Sequence, residues 1–146
     1  EKLPFTRDRL CVLLPSSHPL AGKPSISMAE LAAEEFVVLN RGTLLYQLFT
    51  SLCQLSGFAP HIAIECRRMD SIFDLVAQHM GISILTDKHF NAFSNYYSKH
   101  ELVMIPLEPE MYSQTYLCHL KKASLNATAR EMLQYMKSYV GSLQNK

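Results

Sequence analysis

An α/β fold is what this sequence predicts, and three observations predict it. Short apolar runs that read as strands alternate with segments whose apolar residues recur at helical spacing. Proline, glycine and serine punctuate the chain where those segments end. Of the 146 residues 48% are hydrophobic, which suffices for one sizeable core or for two small lobes sharing one chain. Strand–helix alternation at this spacing is expected to give mostly parallel pairing.

Residues 9–14, RLCVLL, read as a buried strand that Pro15-Ser16-Ser17 ends. Residues 18–24, HPLAGKP, are a loop, because their prolines and glycine forbid regular pairing. Ser27-Met28-Ala29-Glu30 has capping-box spacing, with Glu30 placed to reach back to Ser27, and a short helix to about Ala33 follows. Residues 36–39 form a second buried strand. A helix then runs from about Thr43 to Ser56 and stops at Gly57.

In residues 60–66, PHIAIEC, Ile62 and Ile64 alternate with small or polar neighbours, as in a third strand. Asp70 or Ser71 can cap the next helix, whose Ile72, Phe73, Val76 and Met80 fall at helical spacing and which Gly81 stops. Residues 82–85 are the fourth strand, and a short helix from about Lys88 to Ser94 carries Phe90 and Phe93. Residues 102–107 and 114–120 are the last strands. Two acids and a proline mark Glu108-Pro109-Glu110-Met111 between them as a linker or crossover. The final helix starts near Asn126 with Ala129, Met132, Leu133, Met136 and Val140 as its apolar stripe.

Composition excludes several functions. Charged residues are 18% and the formal net charge is +1, so no strong electrostatic footprint for nucleic acid follows. The pairs Arg67-Arg68 and Lys121-Lys122 are expected to be solvated surface. No apolar run approaches the ~20 residues that span a bilayer. The start, Glu1-Lys2-Leu3-Pro4, has no signal-peptide core and no initial Met, so the chain is expected to be a fragment or a processed piece. Cys11, Cys53, Cys66 and Cys118 form no CxxC and are expected to be free thiols in a reducing cytoplasm, mostly buried. Asn126-Ala127-Thr128 formally matches a glycosylation acceptor, but no secretory signal accompanies it.

Motifs that carry chemistry are missing. His18, His61, His79, His89, His100 and His119 make no HxxxH and no His/Cys cluster, so no metal is expected. GxSxG, GxGxxG and GxxxxGK[ST] do not occur, and Glu34-Glu35, Glu108 and Glu110 are expected to be solvated loop carboxylates. Nothing demands an enzyme or a cofactor. The informative stretch is residues 36–52, FVVLNRGTLLYQLFTSL, where a strand breaks at Asn40-Arg41-Gly42-Thr43 and a helix starts at once. Parallel α/β sheets bind ligands outside the carboxyl ends of their strands. Gly42 would let a ligand approach the backbone, and Thr43, Leu44 and Leu45 would offer a hydroxyl and unpaired first-turn N–H groups to an anion. The alternative is that Thr43 merely caps the helix and Arg41 points to water. Leu44, Leu48, Leu52 and Leu55, widened by Leu45, Phe49 and Cys53, cover about half of that helix. Such a helix either lies deep or meets a partner.

At this point the chain resembles a known family. LCVLLPSSHPLAGKPSISMAELAAEEFVVLNRGTLLYQLF, then SGFAPHIAIE and DLVAQHMGISILTD, is similar to the effector-binding domain of LysR-type transcriptional regulators, with the segments in the same order across nearly the whole chain. The resemblance implies a type 2 periplasmic-binding-protein-like fold. Residues 1–107 would be its second Rossmann-like subdomain. Residues 108–146 would be the crossover and the C-terminal strand and helix of the first, the rest of which, with the DNA-binding domain, would be absent.

The same resemblance implies a cytoplasmic, non-enzymatic sensor. It would bind a small organic acid or other metabolite between subdomains, reaching DNA only through a missing N-terminal helix-turn-helix. Residues 1–146 are therefore expected not to bind DNA specifically alone. The ligand role carries to Asn40, Arg41, Gly42 and Thr43, and to Arg68, Met69 and Thr86 at the neighbouring strand ends. Thr86-Asp87 stands where the family usually has proline, and Thr43 and Leu44 stand where its redox-active members have cysteine, so no thiol switch is expected. Leu45, Phe49 and Leu52 are expected to be a homo-oligomer interface. A solute-binding protein or an enzyme on the same two-lobed scaffold is the alternative.

Overall fold

The computed structural model describes residues 2–93, 95–97, 101–119 and 125–144. Glu1, Ser94, His100, Leu120 and Lys121-Lys122 lie outside the described residues. Seven strands and four α-helices are described: β1 (Lys2–Pro15), β2 (Ile26–Ser27), β3 (Glu35–Leu39), α1 (Leu44–Leu55), β4 (His61–Cys66), α2 (Met69–Ala77), β5 (Ser83–Thr86), α3 (Asp87–Phe93), β6 (Leu102–Glu108), β7 (Tyr112–Cys118) and α4 (Ala127–Gln144). They fall into a large unit, Asp8–Tyr112, and a small one made of residues 1–7 and 113–146.

In the large unit β2, β6, β1 and β5 lie side by side, and β3 pairs with β4. A parallel bridge between Phe36 and Ile82 joins β3 to the residue that leads into β5. The pairing is mixed, which corrects the expectation of mostly parallel strands. β3–β4 and β2–β6 are parallel, but β1 is antiparallel to both β5 and β6, with Val12 opposite Ile84 and Ile105. The reason is where β1 enters. Leu10 stands opposite Thr86, so β1 comes in at the edge where β5 leaves.

Strand alternation builds two cores, one on each face. Val12 and Leu14 of β1, Phe36 and Val38 of β3 and Ile84 of β5 meet Phe49 and Cys53 of α1. Leu13, Val37 and Leu85 point the other way and meet Ile72, Phe73 and Val76 of α2. Phe36 and Phe49 rings lie 4.8 Å apart.

The helix ends show why these segments stop. After α1 the Phe58 N–H reaches Cys53 O and the Gly57 N–H reaches Gln54 O, both at 3.1 Å, with Gly57 at φ +81. That pair of bonds needs a left-handed residue, which glycine adopts freely. α2 ends the same way, but its left-handed residue is His79 at φ 60, two residues before Gly81. The His79 N–H bonds Val76 O and the Met80 N–H bonds Leu75 O. Gly81 has another task. A Cβ there would lie 2.7 Å from Glu35 O, because the strand entering β5 runs against β3.

Two further expectations change. Neither Asp70 nor Ser71 caps α2: Arg68 is the cap residue, and Asp70 lies in the first turn, accepting the Ser71 N–H at 2.8 Å. Met132 does not join the inward stripe of α4; it is 59% exposed, whereas Val140 is buried. Elsewhere Glu30 Oε2 accepts the Ser27 N–H at 2.9 Å, as the capping-box spacing predicts. In the small unit β7 pairs with β1, and the Thr6 and Thr115 hydroxyls lie 2.7 Å apart. Asn126 Oδ1 caps α4 by accepting the Ala129 N–H at 2.8 Å.

Candidate functional site

β3, β4 and the β5 segment run in one direction, so their carboxyl ends share an edge of the large unit. Leu39 is level with Cys66, and the Asn40 N–H extends the pairing to Cys66 O at 2.7 Å. The turns that follow are therefore neighbours. The structure brings Asn40, Arg41, Gly42, Thr43, Arg68, Met69 and Thr86 to one edge.

Their states differ. Thr43 is a working N-cap: its hydroxyl donates to Asn40 O at 3.0 Å and accepts the Tyr46 N–H at 3.2 Å. The hydroxyl proton is committed, and one lone pair is left over. Gly42 sits at φ +96 with nothing within 4 Å of a built Cβ, so conformation rather than space requires glycine there. The first-turn amides of Leu44 and Leu45 have no intrahelical acceptor, as at any helix start. The Asn40 side chain donates to Arg41 O at 3.2 Å. Arg41 is 77% exposed and donates from Nε to Glu65 at 3.2 Å, which raises its pKa further.

Arg68 grips Asp70 and holds its carboxyl down at about 2. Met69 begins α2 and packs against the second core. Thr86 is buried, with its hydroxyl 2.8 Å from His89 Nδ1. It serves as the corner of the β5–α3 turn rather than as an open donor. Arg41 and Arg68 are each paired with a carboxylate, Glu65 and Asp70, so it is the helix start at this edge that favours an anion.

The expected interface needs correcting at Phe49. It is 2% exposed and packed on Phe36 inside the chain's own core. Leu45 and Leu52 are half-buried against the two cores. The apolar side chains that α1 leaves outside are Leu44 and Leu55, at 56% and 84% exposure. A helix apolar over half its circumference does not announce which part of that half faces the sheet.

A cleft of about 240 Å³ at the opposite edge escaped sequence reading; Pro15, His18, Glu34, Glu35, His79 and Gly81 line it. Its polar groups are partly spent. His18 Nδ1 accepts the Leu20 N–H at 3.2 Å and Nε2 faces Glu34 at 3.4 Å, so the His-Pro-Leu-Ala segment is a turn tied to the residue just before β3. No group of His, Cys, Asp or Glu among the described residues could hold a metal ion. Cys11, Cys53 and Cys66 are buried free thiols, and burial pushes Cys11 and Cys53 up to about 11; Cys118 is exposed. No described helix is long and apolar enough to cross a membrane.

A family model for the LysR substrate binding domain matches residues 1–141. The transcriptional dual regulator GltC of Bacillus subtilis is 26% identical over 144 residues, covering 98% of this chain and 46% of that relative. YybE of the same organism, an HTH-type transcriptional regulator, is 35% identical over 80 residues, 55% of this chain and 27% of its own. The chain thus spans about half or less of the length of these curated relatives. Among solved structures, the CcmR regulatory domain of Synechocystis PCC6803 in complex with 2-PG has a TM-score of 0.82 at 23% identity, over 96% of this chain and 66% of that one. The effector binding domain of QuiR in complex with shikimate matches at the same TM-score and identity, over 97% and 66%.

Proposed function

Because this chain belongs to the LysR substrate-binding domain family, we propose that it senses a small anionic metabolite at the carboxyl edge of β3, β4 and β5. One observation carries the reading. Three strand ends converge where α1 begins, and the space beside Gly42 is open and the Leu44 and Leu45 amides have no intrahelical acceptor, while most nearby side chains are paired. An organic acid is the fitting ligand class, because a carboxylate satisfies several N–H groups at once and gains from the helix dipole. The relatives of this chain are transcriptional regulators, and the role proposed is sensing without catalysis. In the whole protein an N-terminal helix-turn-helix domain would reach the DNA, the protein would be cytoplasmic, and this domain would act as part of a homo-oligomer. Any contact of α1 with a second copy would use Leu44 and Leu55 rather than Phe49.

The test is calorimetry on the full-length regulator with a panel of small organic acids. An acid that binds, and whose affinity falls in Arg41→Ala and Thr43→Val, supports the reading. An effector whose affinity neither substitution changes would place the site elsewhere.

A further inference from the structure

The corner where β5 passes into α3 is built around a histidine. Thr86, Asp87, Lys88 and His89 have the spacing of a capping box, with His89 where glutamate or glutamine usually stands. The Thr86 N–H points at His89 Nδ1 from 3.3 Å, and the Thr86 hydroxyl lies 2.8 Å from the same atom. An N–H can only donate, so Nδ1 must accept and the ring proton sits on Nε2. Asp87 completes the corner by accepting the Arg9 and Lys88 N–H groups at 3.1 and 2.8 Å. From there α3 carries Phe90 and Phe93 to Phe73, with centroids 6.5 and 5.0 Å away.

We infer that His89 is an acid-sensitive latch: its neutral ring holds the first turn of α3 to the end of β5, and protonation releases that turn. Protonation puts a hydrogen on Nδ1. The Thr86 hydroxyl can rotate to accept it, but the Thr86 N–H cannot, and a cation is placed at the positive end of a helix. Asp8 of β1 and Asp87 favour the charged ring, and Lys88 opposes it. Burial outweighs the two carboxylates and lowers the His89 pKa below its ordinary value.

Nuclear magnetic resonance on the labelled chain tests this. At about pH 7.5 the Nε2–H tautomer is expected, with titration below the ordinary ~6.5. Across that titration the α3 amides should lose protection by about tenfold after correction for intrinsic exchange. His89→Gln restores a conventional capping box that does not titrate, and should keep α3 protected in acid. An Nδ1–H tautomer, titration at or above the ordinary value, or the same acid loss in His89→Gln would each overturn the latch.

Discussion

The two edges of the β3–β4–β5 layer differ in what they leave uncommitted. The amino edge has hollows of about 240 Å³ by His18 and His79 and about 340 Å³ by His61 and Pro60. Yet it is a clamp: Gly81 lies against the Glu35 carbonyl, and both nitrogens of His18 have neighbours. At the carboxyl edge a void of about 10 Å³, no larger than one water probe, lies beneath Leu39, Leu45 and Tyr46. There, however, a helix begins, and its Leu44 and Leu45 amides have no intrahelical acceptor. For a polar ligand the uncommitted donor counts for more than the empty volume, because desolvation must be repaid by hydrogen bonds.

The comparison breaks most readily at Gly81. Gly81→Ala would add a Cβ 2.7 Å from a backbone oxygen at φ +139, and should cost about 2–3 kcal/mol, the scale of a backbone overlap with strained φ. Urea unfolding reads the loss; an unchanged midpoint would show that the amino edge is not clamped.

Thr43→Val probes the other edge. It removes the cap acceptor for Tyr46 and should lower stability by about 1 kcal/mol. It should also weaken effector binding by about 1–2 kcal/mol, the scale of a hydrogen bond to a charged partner. Loss of stability with intact binding would make Thr43 a cap alone.

At the end of α2, His79→Gly should stabilise by about 0.5–1 kcal/mol, because glycine adopts the left-handed φ without penalty. A lower melting temperature would mean that the His79 ring contributes more than its backbone costs.

The smallest effect is a titration. Arg68 holds the Asp70 carboxyl at about 2 in the folded chain, below its ordinary 3.8. A depressed acid stabilises the fold above its unfolded pKa, and that contribution fades as pH falls from about 3.8 towards about 2. In Arg68→Ala the Asp70 carbon resonance should titrate nearer the ordinary value.

The turn on which the proposed site rests was legible from local chemistry. The run of Asn40 to Thr43 between an apolar strand and an apolar helix can hardly be anything but a strand-to-helix turn, and it is one. Thr86 was legible as a strand end but not as a buried residue, because its burial depends on His89 three residues on and on β1 from the far end of the chain. Phe49 shows the same limit: its inward position is set by Phe36, thirteen residues earlier, within a helix apolar on half its circumference.

By itself the sequence determined the order of elements, the cap at Asn126, the reach of Glu30 back to Ser27 and the stop at Gly57. Each of these is an interaction within about four residues, so residue types and spacing suffice. Tertiary structure alone decided that β1 runs against β5 and β6, that Gly81 serves β3 rather than α2, and that α1 turns Phe49 inward and Leu55 out. Those outcomes depend on partners far along the chain, whose direction and distance no local pattern encodes, because packing chooses among arrangements that local energetics leave nearly equal.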